Sequence, residues 1–343
     1  SSVDYICVDD FEIDSVRSFV SSYTEVDSYC TFGSGGEYLA LEGEAKLDLN
    51  SDGCDGLDNY FSNLKIRNNN GFDLITDSTG VFILPLQTGI NTITPQLENP
   101  TYFSISPTSL EIDFQTITSP AIHDFCIKPN GIYNDLEISI LPLNQARPGF
   151  DAQYKLIYKN KGTTSITGTV KLDFNVDLMN LISAIPTADN LSTNSLSWNY
   201  SNLQPFESKS INFTMNINTP TNPTFPVNGG DILYFTATIN PLSDDETSKD
   251  NVFDLKQLVV NAYDPNDKIC MEGATIKPSM VGEYLHYLIR FENTGSASAV
   301  NIVVKDVIDT TKYDINSLRP IDGSHSYATK IKDTNIVEFI FEN

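Results

Sequence analysis

Apolar and polar residues alternate with a period of two along most of this chain. That is the spacing of strands with one face in a core and the other in solvent. The alternation predicts strands around Tyr38–Leu47, Asn63–Arg67, Gly80–Pro85, Ile90–Thr94 and Ser109–Phe114. Helical spacing occurs convincingly only in Asp10–Val20, where it places Ile13, Val16, Phe19 and Val20 on one face. One strand-and-turn pattern occurs twice. Tyr154-Lys-Leu-Ile-Tyr158-Lys-Asn160-Lys-Gly162 aligns with Tyr287-Leu-Ile-Arg-Phe291-Glu-Asn293-Thr-Gly295, and upstream Gly149 falls on Gly282. A duplicated strand and turn at domain-sized spacing predicts repeated β-modules rather than one large enzyme fold.

Four segments follow from these patterns. Residues 1–36 hold a short strand, the helix and Cys30; residues 37–127 form a β-sandwich. Residues 128–262 form a second sandwich containing the first repeat copy. Residues 263–343 form a third, which ends in a strand still in progress and is expected to be truncated. The fold class expected is therefore all-β, with tandem sandwiches in an elongated chain after a strand-helix cap. Trp198, in an alternating strand, is expected to anchor the core of its sandwich.

Charge narrows the partners. Forty-five acidic residues against twenty-one basic ones give a net charge of −24. So acidic a surface repels phosphate backbones, which excludes nucleic acid as the expected partner. No apolar run reaches the roughly eighteen residues that a membrane-spanning helix needs. Of the five cysteines (Cys7, Cys30, Cys54, Cys126 and Cys270) none forms a Cys-x-x-Cys pair. Wide spacing suits isolated disulfides of an extracellular protein, with Cys7–Cys30 and Cys54–Cys126 as the expected pairs and Cys270 left over. Five buried thiols are the alternative.

The chemistry-bearing candidate is Asp48-x-Asn50-x-Asp52-Gly53, followed by Asp55 and Asp58. Short acids and amides at alternate positions can wrap a hard cation, and Gly53 permits the bend. A calcium sensor loop would need a bidentate Glu at its twelfth position, and Asn59 stands there. The expectation is a calcium-stabilised turn; an Asx-rich turn without metal is the bland alternative. A second candidate, Asp264, Asn266 and Asp267, sits at the junction between the last two segments, where Pro265 stiffens the chain. Catalysis is not expected. Only His123, His286 and His325 are present, and there is no Gly-x-Ser-x-Gly elbow, phosphate loop or His-Glu-x-x-His. So abundant are the acids that chance carboxylate pairs, the signature of a glycosidase, carry almost no information.

Several stretches resemble known families. The strand, helix and Cys30 of residues 1–36 resemble the closing cap of a leucine-rich-repeat array, which implies repeats upstream. The acidic turn and Thr76-Asp77-Ser-Thr-Gly80-Val-Phe82 resemble the prealbumin-like sandwich of pilin B-type domains. Tyr263-Asp-Pro-Asn-Asp-Lys268, Tyr284–Gly295, Asn301–Asp309 and Val337–Asn343 resemble an uncharacterised C-terminal module of bacterial surface proteins exported by the type IX secretion system. Asn134–Glu137, Ala146–Phe150 and Asn199–Glu207 are similar to the same architecture, with Ig-like modules. That resemblance implies a secreted or cell-surface, non-catalytic spacer that presents an upstream binding domain, with the type IX machinery as a partner. An adhesin-type module for glycan or protein ligands is the alternative. No catalytic residue is carried over.

Overall fold

A computed structural model describes residues 5–8, 13–20, 25–27, 39–69, 73–77, 79–86, 89–260, 267–292 and 301–342. The architecture is all-β, with tandem sheets in two compact units. Unit 1 comprises residues 1–130 with 297–343, and unit 2 comprises residues 131–296. Among the described residues helix is confined to short turns. Phe19 is 87% exposed instead of facing a core, and it lies past the end of the α-helix expected over Asp10–Val20, which spans Ile13–Arg17 among the described residues. The helix connects the strands Tyr5–Cys7 and Glu25–Asp27, which pair in parallel.

Unit 1 contains a seven-stranded sheet. Its order is Leu110–Asp113, Ile90–Gln96, Lys65–Asn68, Asp73–Ile75, Ala328–Lys332, Ile336–Glu342 and Asn301–Val307. A second sheet is organised around Leu39–Leu47, which pairs in parallel with Phe125–Pro129 and antiparallel with Val81–Leu86. Alternation is clean in Val81–Leu86: Phe82, Leu84 and Leu86 are buried while Val81 and Ile83 face outward. Phe82 packs on Phe125 with ring centroids 5.7 Å apart. The expected Cys54–Cys126 disulfide forms and fastens the acidic turn to the Phe125–Pro129 strand. Cys7–Cys30 lies outside the described residues, and Cys270 keeps its thiol.

Unit 2 is an antiparallel sandwich. One sheet runs Leu136–Pro142, Asp151–Asn160, Ser208–Ile217 and Met179–Ile185. The other runs Asn190–Leu191, Ser195–Leu203, Ile166–Phe174, Ile232–Asn240 and Val252–Leu258. Their inner faces close one core. Tyr154 stacks on Phe213 at 4.9 Å and tilts against Phe235 at 4.7 Å. Trp198 is buried there, as expected, and its indole N–H donates to the Pro186 carbonyl at 2.9 Å.

The Asn-x-Gly motif has a steric cause. Buried Asn160 donates to the carbonyls of Thr164 (2.7 Å) and Leu203 (2.8 Å), and accepts from the Gly162 amide at 2.9 Å. A Cβ on Gly162 would sit 2.4 Å from the Tyr133 carbonyl oxygen, so only glycine lets the two backbones approach. The second copy, Asn293–Gly295, lies outside the described residues.

Residues 263–343, read above as one module, divide between the units. A hairpin of Asp267–Cys270 and Tyr287–Arg290 falls in unit 2. Its neighbour Met271 is buried in the sandwich core, with Ile269 and Leu288 packed against that core. Residues 301–342 fall in unit 1, where Ala328–Lys332 pairs with Asp73–Ile75. Thr329, Ile331, Val337 and Glu338 are buried in that sheet. The segment read above as one module thus contributes strands to both compact units.

Candidate functional site

The acidic turn begins where the Leu39–Leu47 strand ends. The Asp48 amide still donates to Ile127, at 2.9 Å, so the ladder carries the Asp48 side chain into a buried position. Its carboxylate organises the turn by accepting from the amides of Ser51 (2.6 Å) and Gly53 (3.0 Å). Ser51 and Gly53 both take positive φ, 64° and 103°, which lets the chain fold back over Asp48. Lys128 completes the arrangement with its ammonium 2.9 Å from Asp48 Oδ2. That contact, opposed by burial and helped by the two amides, holds the Asp48 carboxyl below its ordinary range.

Asp48, Asp52 and Asp58 each bring one carboxylate oxygen within 4.8 Å of the others, so the trio could hold a metal ion. Asn50 and Asp55, the other members of the expected set, are each hydrogen-bonded to a member of this trio. Asn50 donates to Asp52 at 2.9 Å, and the Asp55 amide donates to Asp58 at 2.8 Å. Of the junction candidates, Asp264 and Asn266 lie outside the described residues. Asp267 is engaged within unit 2, where Arg290 Nε donates to its carboxylate at 2.8 Å.

A second charged cluster joins an acidic stretch of the sequence around Asp244–Asp250 to residues far from it along the chain. Lys161, one residue past the repeat strand, is enclosed by Asp250 at 2.5 Å, Asp135 at 3.4 Å and Glu137 at 3.7 Å. Asp135, Asp245 and Asp250 could likewise hold a metal ion. Beyond Glu137 stands His286. Its Nδ1 lies 2.7 Å from Glu272, its Nε2 lies 4.0 Å from Glu137, and its ring meets Phe253 edge-on at 5.0 Å. Strand alternation reads His286 as a half-buried structural residue. It is half-buried, but it is also a charged bridge between the Tyr287–Arg290 hairpin and the sandwich. Its two acids come from positions 137 and 272, a pairing that no local spacing announces.

Burial opposes the charge on His286, but Glu137 and Glu272 outweigh it and raise the imidazole to about 9. A rise from 6.5 to about 9 corresponds to about 3 kcal/mol. Because the folded-state value is the higher one, this stability is fully present below about pH 6.5. It is lost as the pH rises toward 9. His286→Ala is expected to lower the stability of unit 2 by about 3 kcal/mol near pH 6, with the gap to wild type narrowing by pH 9. Urea denaturation followed by Trp198 fluorescence reads this directly. A gap independent of pH would show that packing, not charge, is what His286 supplies.

Residues 264–343 match the family model described as a domain of unknown function, DUF7619. No curated protein matches the chain. Among solved structures, the CARDB domain of a Pyrococcus furiosus protein in complex with di-metal ions is 18% identical. It covers 38% of this chain and 96% of its own, with a TM-score of 0.27. The full-length major pilin SpaD from Corynebacterium diphtheriae is 10% identical over 71% of this chain and 69% of its own, with a TM-score of 0.21. Domains 4 and 5 of the S-layer protein SbsC are 12% identical over 63% and 93%, with a TM-score of 0.24.

Proposed function

We propose that this chain is a non-catalytic structural region of a secreted or cell-surface bacterial protein, presenting a binding domain that lies upstream. The observation that carries the reading is the Cys54–Cys126 bond across unit 1. Structural disulfides persist in oxidising compartments and are rare in the cytosol. Two units that each bury their own apolar residues suit a load-bearing role. The parallel strand pair around a short helix at residues 5–27 supports a leucine-rich-repeat cap. The likeness of the C-terminal segment to type IX cargo proteins supports export by that machinery. No helix among the described residues is long and apolar enough to cross a membrane. Biotinylation of intact cells of the source bacterium with an impermeant reagent tests the location. Labelling only after lysis would overturn it.

In this reading the Asp48–Asp58 turn takes calcium. Asp48, Asp52 and Asp58 supply hard oxygens, and the Lys128 side chain, 42% exposed, can swing out when a divalent ion replaces its charge. Calcium at a hundred times its dissociation constant is expected to stabilise unit 1 by about 2.7 kcal/mol relative to chelator. Asp52→Asn combined with Asp58→Asn should abolish the difference. A wild-type melting temperature indifferent to calcium sinks the calcium assignment and leaves the structural role standing.

An adhesin-type reading draws on one surface. Ile232 and Leu258 face each other across adjacent strands, Tyr234 lies diagonal to Leu258, and all three are exposed. An apolar and aromatic group of this kind suits contact with a glycan or a partner protein. A glycan array without signal would remove the glycan version.

A further inference from the structure

Val252–Leu258 is an edge strand of the five-stranded sheet in unit 2, paired on one side with Ile232–Asn240. Its burial alternates strictly. Phe253, Leu255 and Gln257 are buried, while Val252, Asp254, Lys256 and Leu258 are exposed. The backbone groups alternate in step. The Val259 amide donates to Asp231 on the paired side at 2.8 Å, and the Val260 amide donates to Ala146 on the other side at 2.9 Å. Counting back in twos from Val260, the amides and carbonyls of Leu258, Lys256, Asp254 and Val252 point out of the open edge. Among the described residues the ladder contact on that edge is the Ala146 bridge, which lies beyond Leu258.

An open edge invites pairing with another chain, and other edges in this protein are blunted. Leu110–Asp113 carries Glu111 and Asp113, which would face each other's copies in a twofold pairing about Ile112. Met179–Ile185 is broken by a register shift between Leu181 and Ser183. In Leu136–Pro142 the Leu136 and Ile138 amides are already taken by Asp245 and by the Asp250 carbonyl. Val252–Leu258 instead carries two exposed charges of opposite sign, two residues apart.

That spacing is self-complementary. When a strand pairs antiparallel with its own copy about a twofold axis, facing residues must point to the same side of the sheet, so their numbers differ by an even amount. An axis at Leu255 sets Asp254 opposite the partner's Lys256, and Val252 opposite the partner's Leu258. Moving the axis by one residue sets Asp254 or Lys256 against itself. Charge and apolar pattern therefore select a single register. The facing residues in that register are the ones whose backbone groups are free to exchange hydrogen bonds. Thr236 donates to Asp254 at 2.7 Å and holds its carboxylate on the exposed face. Exposed Ile232 lies beside Leu258 and extends the apolar contact.

We propose that two copies of this chain associate through Val252–Leu258, joining their five-stranded sheets into one continuous sheet about a twofold axis at Leu255. The inference uses unit 2 alone and stands or falls separately from the spacer and calcium readings. One strand pair is a small interface, and interfaces below about 1,200 Å² are of the weak or transient class. The net charge of −24 opposes self-association at long range, but charges further apart than about 8 Å are largely screened at physiological ionic strength.

Sedimentation equilibrium of the full chain at that ionic strength, from low micromolar to millimolar concentration, tests this. The average mass is expected to rise toward that of two chains. Lys256→Glu sets acid against acid at both symmetry-related pairs, and Asp254→Lys sets base against base. Each alone should weaken association about tenfold or more. An equal mixture of the two variants restores opposite charges at both pairs, and it should associate as wild type does. Both positions are exposed, and Trp198 fluorescence checks that unit 2 remains folded. A wild-type chain that stays monomeric throughout would overturn the proposal. So would a dimer indifferent to both substitutions, or a mixture that stays monomeric. Amide exchange in the wild-type chain needs no variant. The Asp254 and Lys256 amides should slow as concentration rises, while those of Leu255 and Gln257, which face the neighbouring strand, should not change. Exchange at Asp254 and Lys256 that is independent of concentration would rule the pairing out.

Discussion

Asp73→Ala is expected to destabilise unit 1 by about 3 to 5 kcal/mol, the cost of breaking a buried ion pair by removing one partner. Asp73 accepts both Nε and Nη2 of Arg67 at 2.7 Å, and it stands 3.2 Å from the Lys65 ammonium. The Lys65 side chain is only 2% exposed, and Asp73 is the single acid paired with it among the described residues. Burial already pushes the Lys65 amine downward, and Arg67 and Arg319 push it further. Without Asp73, Arg67 can turn its guanidinium into solvent and toward Asn316, which it reaches at 3.0 Å. Lys65 has no such exit. It must give up its proton, and the unfolded chain then binds more protons than the folded one. The variant should therefore gain stability as the pH rises toward 10, the opposite of the His286 behaviour. Lys65→Met, which removes the enclosed charge and keeps the volume, should be close to neutral or stabilising. If Asp73→Ala costs less than about 1 kcal/mol, the pair is solvent-screened and the burial argument fails.

Replacing Cys54 and Cys126 together by alanine should cost unit 1 about 4 kcal/mol. The bond closes a loop of sequence separation 72, and loop-closure entropy in the unfolded chain grows slowly with that length. Trp198 is the only tryptophan and lies in unit 2, so fluorescence follows that unit alone. Circular dichroism follows both. The expected result is an earlier dichroism transition with the fluorescence transition unmoved. On the proposal that the turn takes calcium, the same variant should weaken that binding, because Cys54 lies inside the turn that the bond holds against Cys126. A fluorescence transition that moves in parallel would mean that the two units do not unfold independently, and the loss could not be assigned to one of them.

The parts of this protein that local chemistry governs are readable along the chain. Period-two alternation places Phe82, Leu84 and Leu86 inward and gives Trp198 its core position. Turn chemistry marks Asn160-Lys-Gly162, and the acids and glycine of residues 48–58 mark the candidate cation turn. Each depends on neighbours a few residues away, so the sequence carries the signal. The Cys54–Cys126 bond matches one expected pairing, but five cysteines leave many others that the sequence does not decide between.

Tertiary structure alone decides which distant charges meet. Lys161 with Asp135, Glu137 and Asp250, His286 between Glu137 and Glu272, and Lys65 behind Asp73 all depend on strand register and on loops folding back over the sheet. With forty-five acids in the chain, proximity in sequence says almost nothing about which of them will be buried beside a cation. The assignment of residues 301–342 to unit 1 has the same origin. An alternating strand shows which face it buries but not which strand it will pair with. Backbone hydrogen bonds are alike for every partner, so the choice rests on side chains that meet only after folding.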